Sequence, residues 1–360
     1  MASRPGSTPA SADREGGGPL TLSVVATARN DDHGGNLLGR MQIFVDSLLA
    51  QCREHRLGAE LVLVEWNPVP DRPRLAQALS WSGVDAPGRV RIVEVPSELH
   101  RRFRYADQLP LYQMIAKNAG IRRARGRFVL ATNIDILFSD ELMRFLAGGR
   151  LREGRLYRVE RYDVPSDVPN GHDVGDRLAY CRAHVMRHHY REGSLNLLTG
   201  QHNRFYPMPT WRSRLHEKLQ DWRLRPVTNR CRLHTNGCGD FTLMARQDWE
   251  RVRGYPEFDM FSFHLDSLLC YAAHHAGIRE KVLLDPMRIY HIEHGTGSGW
   301  TPEGEKKLNE RLDRAGISQL DPQQLDEWAV RMRRERRTML FNSESWGLAG
   351  GALPETRPGA

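Results

Sequence analysis

The stretch Lys117-Asn118-Ala119-Gly120-Ile121, and then Arg125-Gly126-Arg127-Phe128-Val129-Leu130-Ala131-Thr132-Asn133-Ile134-Asp135, puts oxygen donors where a strand should end. The pattern predicts a helix stopping on Gly120, a turn, and an apolar strand that closes on Asn-x-Asp. Residues two apart on a strand point the same way, so Asn133 and Asp135 can offer two oxygen ligands on one side. Open α/β sheets place their ligand sites at such strand ends. Oxygen donors of this kind suit Mg²⁺ or Mn²⁺ carrying a diphosphate, which is the chemistry of an enzyme handling a nucleotide-diphosphate compound.

Other carboxylates and imidazoles fall at the ends of apolar runs. Glu65 comes near the end of Glu60–Trp66, and Asn30, Asp31 and Asp32 sit in a glycine-containing loop after the first apolar run. Asp240 closes Gly237-Cys238-Gly239-Asp240, a glycine-bounded turn whose backbone could approach a sugar closely. Glu257 is grouped with Asp240 as a candidate acceptor or sugar contact. Asp266 opens a helix, where the dipole favours its anion, and a plain N-cap is the alternative role. Tyr290-His291-Ile292-Glu293-His294-Gly295 follows a late strand. Asp135 could instead cap the next helix, although Ser139 is the better N-cap. Trp249 and Tyr255 read as packing residues, and His188-His189 and His274-His275 as surface or helix residues.

These groups need an alternating scaffold to bring them together. Leu22–Ala28 is a first strand, and Arg29–Gly35 a polar loop. A helix follows with Leu37, Leu38, Met41, Phe44, Val45, Leu48 and Leu49 on one face. Glu60–Trp66 is nearly all apolar, as expected of a parallel strand buried on both sides, and Val90–Val95 is a third strand. A helix over Leu111–Ala124 and the strand Phe128–Thr132 complete this half. Such alternation implies right-handed βαβ units on a parallel sheet. From about Tyr162 to Arg232 the pattern weakens into a His-, Arg- and aromatic-rich segment, expected to be an irregular acceptor-side insertion. Gly239–Arg246 and a short helix through Trp249 follow. A helix over Leu265–His275 ends at Gly277, a C-cap. Val282–Leu284 and Met287–His291 read as two late strands, and Pro302–Arg337 as a charged helical tail. No internal repeat is visible.

The bulk composition, at 360 residues with 40% hydrophobic and 27% charged residues, is that of a globular protein. The expected organisation is a leader at 1–18, a catalytic domain at 19–300 with the 162–232 insertion, and a helical tail at 301–360. The Gly-, Ser- and Pro-rich leader lacks the apolar centre of a secretory signal and reads as disordered. No apolar run approaches the roughly 20 residues that cross a bilayer, so the chain is expected to be soluble and cytoplasmic. A net charge of +8, from 52 Lys+Arg against 44 Asp+Glu, leaves peripheral contact with anionic lipid open. No RNA-binding signature accompanies it, and nucleic acid is not an expected partner. The odd number of cysteines and their irregular spacing argue against a disulfide framework. Cys231, His234 and Cys238 match no common zinc pattern.

In their order, these blocks resemble the family 2 type of GT-A glycosyltransferase, over roughly Leu20 to His294. The resemblance implies an α/β GT-A fold: Rossmann-like, with a mixed, mainly parallel sheet and helices on both faces. It also implies nucleotide or donor contacts from Ala28, Arg29, Asn30 and Asp31 in the opening strand and loop. Glu65 would lie near the base or ribose, where a carboxylate accepts hydrogen bonds. Lys117-Asn118-Ala119-Gly120 is similar to the basic-Asn-x-Gly segment, and Asn133-Ile134-Asp135 stands where Asp-x-Asp belongs. The first position departs as Asn, so Asp135 is the expected metal ligand and Asn133 the expected contact to sugar or diphosphate. Leu265-Asp266 is similar to the family's Glu-Asp motif, with Leu for Glu, which makes Asp266 the expected base. His291 or His294 occupies the place of a late metal-binding histidine, and imidazole tilts preference toward Mn²⁺.

The implied activity is hexosyl transfer, EC 2.4, from a nucleotide-diphospho-sugar to an acceptor hydroxyl on a saccharide or other small molecule. Inversion is implied by the resemblance alone, and retention stays open. A sugar-phosphate nucleotidyltransferase is the second reading, disfavoured by the acidic Asp31-Asp32 loop, and a non-catalytic nucleotide- or nucleic-acid-binding module is the third.

Overall fold

The computed structural model describes residues 20–82, 84, 88–171, 173–206, 210–295 and 302–358. The leader at 1–18 lies outside them. The first apolar run forms β1 (Leu22–Ala28), buried throughout, which pairs in parallel with β2 (Ala59–Trp66) and with β4 (Phe128–Thr132). Strand β2 pairs in parallel with β3 (Val90–Val95). Strand β10 (Phe241–Ala245) then runs antiparallel to β4, and β6 (Arg155–Val164) antiparallel to β10. The long β11 (Arg279–Ile292) lies parallel to β6 and pairs antiparallel with the short β5 (Ile136–Phe138). The result is a mixed sheet with a parallel half and helices on both faces, a Rossmann-like α/β fold as the sequence implied.

The period-two alternation of a strand decides which core each residue enters. In β1, Leu22, Val24, Ala26 and Ala28 join one apolar cluster, with Met41, Phe44, Val45 and Leu48 of α1 (Leu37–Glu54). Val25 of β1 faces the opposite cluster, together with Val129 and Ala131 of β4. That second cluster is roofed by α4 (Gln113–Arg123), α8 (Arg246–Val252) and α9 (Leu265–His275). Two single turns, α2 (Leu75–Ala78) and α3 (Ser97–His100), lie between β2 and α4. On the first face α5 (Asp140–Ala147) starts as expected, with Ser139 Oγ accepting from Leu142 N.

The predicted helix stop at Gly120 is corrected: α4 runs on through Gly120 to Arg123, within the Leu111–Ala124 expected for the helix. A Cβ there would fall 2.5 Å from Val25 Cγ1 and 2.9 Å from Val64 Cγ2, so the glycine lets α4 seat on β1 and β2. Gly120→Ala is expected to destabilise the fold. The overlap costs about 1–3 kcal/mol, only partly offset by the ~1 kcal/mol gain in helix propensity. A urea midpoint at or above wild type would contradict this packing role.

Two further expectations change. The two late strands are one, β11, with an irregularity between Leu283 and Arg288. The 162–232 segment, expected to be irregular, carries several regular elements. Its first residues, through Val164, belong to β6, and it continues with α6 (Val174–Ala183) and the antiparallel strands β7 (Arg187–Tyr190), β8 (Gly193–Asn196) and β9 (His202–Arg204). It then forms α7 (Trp211–Asp221). The tail forms α10 (Pro302–Ala315) and α11 (Pro322–Glu335), the latter packing Leu325, Ala329 and Met332 into the second core. The chain then returns as β12 (Glu355–Thr356), antiparallel to β3. Arg91 anchors it with two hydrogen bonds to the Glu355 carboxylate, at 2.9 and 2.7 Å.

Candidate active site

Beyond Thr132 the chain leaves β4, so Asn133 and Asp135 sit in a turn before β5 rather than on the strand itself. Two pairings bring the other partners to that turn. In the β11–β5 ladder His291 stands opposite Ile136, and Ile292 N donates to Asp135 O at 3.0 Å. In the β11–β6 ladder His291 stands opposite Asp163. His291 therefore lies between two carboxylates. Just beyond β11, Gly295 N bonds Gly34 O at 3.2 Å, which draws His294 against the loop after β1. A Cβ on Gly34 would fall 2.6 Å from His294 Nδ1, and φ there is +75°. Only glycine lets the loop come this close.

Asp135, His291 and His294 each present a ligand atom within 4.8 Å of the others. His294 Nε2 is 3.3 Å and His291 Nε2 3.8 Å from Asp135 Oδ2, with Arg40 Nε at 4.0 Å. Burial alone would raise the Asp135 carboxyl, but His291, His294 and Arg40 hold it down to about 2. Asp135 Oδ1 and His294 Nδ1 are buried without a hydrogen-bond partner, which is costly unless something else satisfies them. One carboxylate and two imidazoles converging with orphaned atoms are a donor set that fits a divalent transition-metal ion.

Behind His291 lies a buried charge cluster that the sequence reading missed. His291 Nδ1 approaches Asp163 Oδ1 at 3.3 Å, an ion-pair contact rather than an aligned hydrogen bond. Arg161 Nε and Arg187 Nε donate to the Asp163 carboxylate at 2.8 and 2.7 Å, and His189 Nε2 pairs with it at 2.8 Å. Burial would raise the Asp163 carboxyl, yet Arg161 and His189 hold it well below the usual range. A carboxylate behind an imidazole fixes the ring so that the opposite nitrogen faces the site. His189 is corrected from a surface residue to a buried one, and His188 stacks on Tyr162 at 4.3 Å.

On the other side of the turn the floor is Lys117, fully buried on α4. Its ammonium donates to Asn133 Oδ1 at 2.8 Å and to Gly239 O at 2.7 Å. Burial pulls it down to about 8 while Asp240, Asp266 and Asp135 act against that fall. These three carboxylates from separate elements thus surround one cation. Asn133 Oδ1 also accepts from Gln113, at 3.0 Å, and its Nδ2 donates to Asp240 Oδ1 at 2.5 Å. The other Asp240 oxygen is taken by Arg161 Nη1 at 2.5 Å. Asn133 and Asp240 therefore already have protein partners, which position the turn. Asp266 is half-buried in the first turn of α9. Its Oδ1 accepts from Ser267 N at 2.8 Å, and a Cβ on Gly239 would meet its Oδ2 at 3.1 Å. The helix's N-cap position is held by His264.

The donor-side candidates line the ends of β1 and β2. Ala28 ends β1 buried; Arg29 donates to Asn67 O at 2.7 Å and to Asp31 Oδ2 at 3.0 Å; Asn30 Nδ2 donates to Pro73 O at 2.9 Å. Both Glu65 carboxylate oxygens lie 3.1 Å from Leu75 N at the start of α2. Burial pushes the Glu65 carboxyl up to about 7, against the pull of that N–H and of Arg74. Because this is above the ordinary 4.5, folding favours protonated Glu65. That stability is complete below the ordinary value and is lost as pH rises through about 7. Glu65→Gln keeps an acceptor for Leu75 N–H. It is expected to exceed wild type by on the order of 2–3 kcal/mol above that pH and to match it near pH 4–5. Urea denaturation at the two pH values checks this, and a pH-independent gap would contradict it.

Glu257 belongs elsewhere. Its Oε1 accepts from Asn118 Nδ2 at 2.9 Å and Gly347 N at 2.7 Å, tying α4 to the C-terminal segment. Cys231 and Cys238 likewise do not converge on His234; Cys231 Sγ faces His275 and Cys238 Sγ faces Ser267. None of the five cysteines is in a disulfide.

No family model and no curated protein matches the chain. Among solved structures it is similar to S. aureus TarS, with a TM-score of 0.39 and 12% identity over 85% of this chain and 41% of that one. The chain thus spans less than half the length of TarS, and the likeness is a distant one of fold alone. Among the described residues no helix is long and apolar enough to cross a membrane.

Proposed function

We propose that the chain is a divalent-cation-dependent glycosyltransferase that moves a sugar from a nucleotide-diphospho-sugar to an acceptor hydroxyl. The observation that carries this reading is the convergence of Asp135, His291 and His294 at the carboxyl edge of the parallel strands, with Asp266 close enough to act on the Lys117 ammonium. Those three residues would hold Mn²⁺ or Mg²⁺, whose chemistry there is Lewis-acid neutralisation of the departing diphosphate. Two imidazoles in the set favour Mn²⁺. The edge of β1 and β2, with Arg29–Asp31 and Glu65, faces the nucleoside. Asp266 takes the proton of the acceptor hydroxyl as its oxygen attacks C1 and the C1–O bond to diphosphate breaks. Asp163 and Arg161 keep His291 and Asp240 oriented, and Lys117 places fixed positive charge beneath the reacting centre. This single displacement inverts C1.

Arg29, in the loop after β1, is tied to Asn67 and Asp31, and Arg40 of α1 to Gly35 O and His33 O. That leaves little to cradle a triphosphate and weighs against a nucleotidyltransferase. Thermal shift against UDP-, GDP- and dTDP-sugars with Mn²⁺ tests the reading, since a ligand of the folded state raises its stability. The expected result is stabilisation by one nucleotide class, with nucleoside diphosphate released on turnover. Pyrophosphate release would favour the nucleotidyltransferase, and salt-sensitive RNA retention without any donor response would favour a binding module.

A further inference from the structure

Helix α7 presents an apolar stripe to solvent. Trp211 is 70%, Leu215 44% and Trp222, at the C-cap, 64% exposed. With Lys218 these positions are spaced i, i+4, i+7 and i+11, which places them on one side of a helix. The opposite side carries buried Gln220 and half-buried Ser213 and His216, so the stripe faces away from the body. Just past the helix, Leu224 is 69% exposed. Exposed Arg212 and Arg214 flank the stripe on either side of Trp211, and Arg212 sits 5.3 Å from the Trp211 ring centre. The helix's two acidic residues are both tied to arginines of the body: Glu217 to Arg232 at 2.6 Å and Asp221 to Arg333 at 2.7 Å. The outward surface is left apolar and cationic.

We infer that α7 is an interfacial helix that docks this protein on an anionic lipid surface. Tryptophan at both ends of an amphipathic helix suits the headgroup boundary, where one part of the ring is apolar and its N–H is wet. Arg212, Arg214 and Lys218 lie beside the stripe, where they meet lipid phosphates as the rings insert. Charge complementarity selects this occupant over a second copy of the chain, because like-charged faces would repel. The β8–β9 turn makes the contrast: it also exposes Leu197 and Leu198, but 196–201 contains no lysine or arginine.

Co-sedimentation of the full chain with phosphatidylcholine vesicles, with and without phosphatidylserine, tests the inference. The chain is expected to pellet with the anionic vesicles and to be released by salt. Trp211→Ser with Trp222→Ser, and separately Arg212→Glu with Arg214→Glu and Lys218→Glu, should each lower partitioning by about tenfold or more. These side chains are exposed, so the melting temperature should hold in both variants. Leu197→Ser with Leu198→Ser should bind as wild type does. Failure of the wild type to pellet, or retention by the charge-reversed variant, would overturn the inference. So would self-association that the tryptophan variant abolishes without any vesicle binding, which would assign the face to a second copy. None of these readouts depends on glycosyl transfer.

Discussion

Asp135→Ala is expected to abolish both Mn²⁺ binding and metal-stimulated turnover, with kcat falling by about a thousandfold or more. Asp135 is the one carboxylate of the cluster, and its Oδ2 is what His291, His294 and Arg40 all face. Its removal leaves Arg40 and the two imidazoles without the carboxylate that they all face, so the charge that would draw a cation to this point is lost. Metal-assisted departure of a diphosphate is worth several kcal/mol of transition-state stabilisation, and each ~1.4 kcal/mol is a factor of ten in rate. Asp135→Asn is the companion variant. It preserves the shape of the turn and the backbone bond to Ile292, but not the charge. Titration calorimetry with Mn²⁺ and release of nucleoside diphosphate measure the two effects separately. An Asp135→Ala enzyme still activated by Mn²⁺ would remove this cluster from the mechanism.

The second large effect is expected at Asp266. Asp266→Asn should lower kcat by about 10²–10⁴-fold, the range for a positioned general base, with donor affinity nearly unchanged. Asparagine retains an acceptor for Ser267 N–H and the volume beside Gly239, so α9 should start in the same place. It loses the ability to take a proton. Since Asp266 is not one of the three converging ligand groups, the substitution should not touch Mn²⁺ binding. This split between kcat and binding separates a base from a capping residue: a cap would lower the melting temperature and leave kcat alone. Unchanged turnover would eliminate Asp266 as the base.

How much of this could be read from sequence depended on burial and on the range of the contacts. Strands β1 and β2 were legible because both faces are buried and their residues are mostly apolar. Ser139 and Gly277 were legible because capping chemistry is local; Gly277 has the left-handed φ of +88° that the end of α9 needs. Gly120 was misread because a glycine inside a helix and a glycine ending one look alike until the neighbouring sheet is known. Asp135 could be named from its position at a strand end and His291 or His294 from the family resemblance, though only the β5–β11 register brings Asp135 and His291 together. Asp163, Arg161 and His189 were missed for the opposite reason. Charged residues are seldom buried unless paired, so nothing in Arg161-Tyr162-Asp163 marked this end of β6 as part of the site. The two-residue β12 has no local signal and exists only because Arg91 holds Glu355. Strand β11 was cut in two because a proline inside a run argues against a continuous strand, and here Pro286 falls at the irregularity.

The central claim is that Asp135, His291 and His294 hold the cation that carries the donor diphosphate. Crystals grown with Mn²⁺ and the nucleoside diphosphate selected by thermal shift, measured at the manganese absorption edge, test it most directly. The account expects one anomalous peak between Asp135 Oδ, His291 Nε2 and His294 Nε2, with diphosphate oxygens completing the shell and Asp266 beyond it. A nucleotide bound in the cleft with no peak at those atoms, or with manganese held elsewhere, would contradict it.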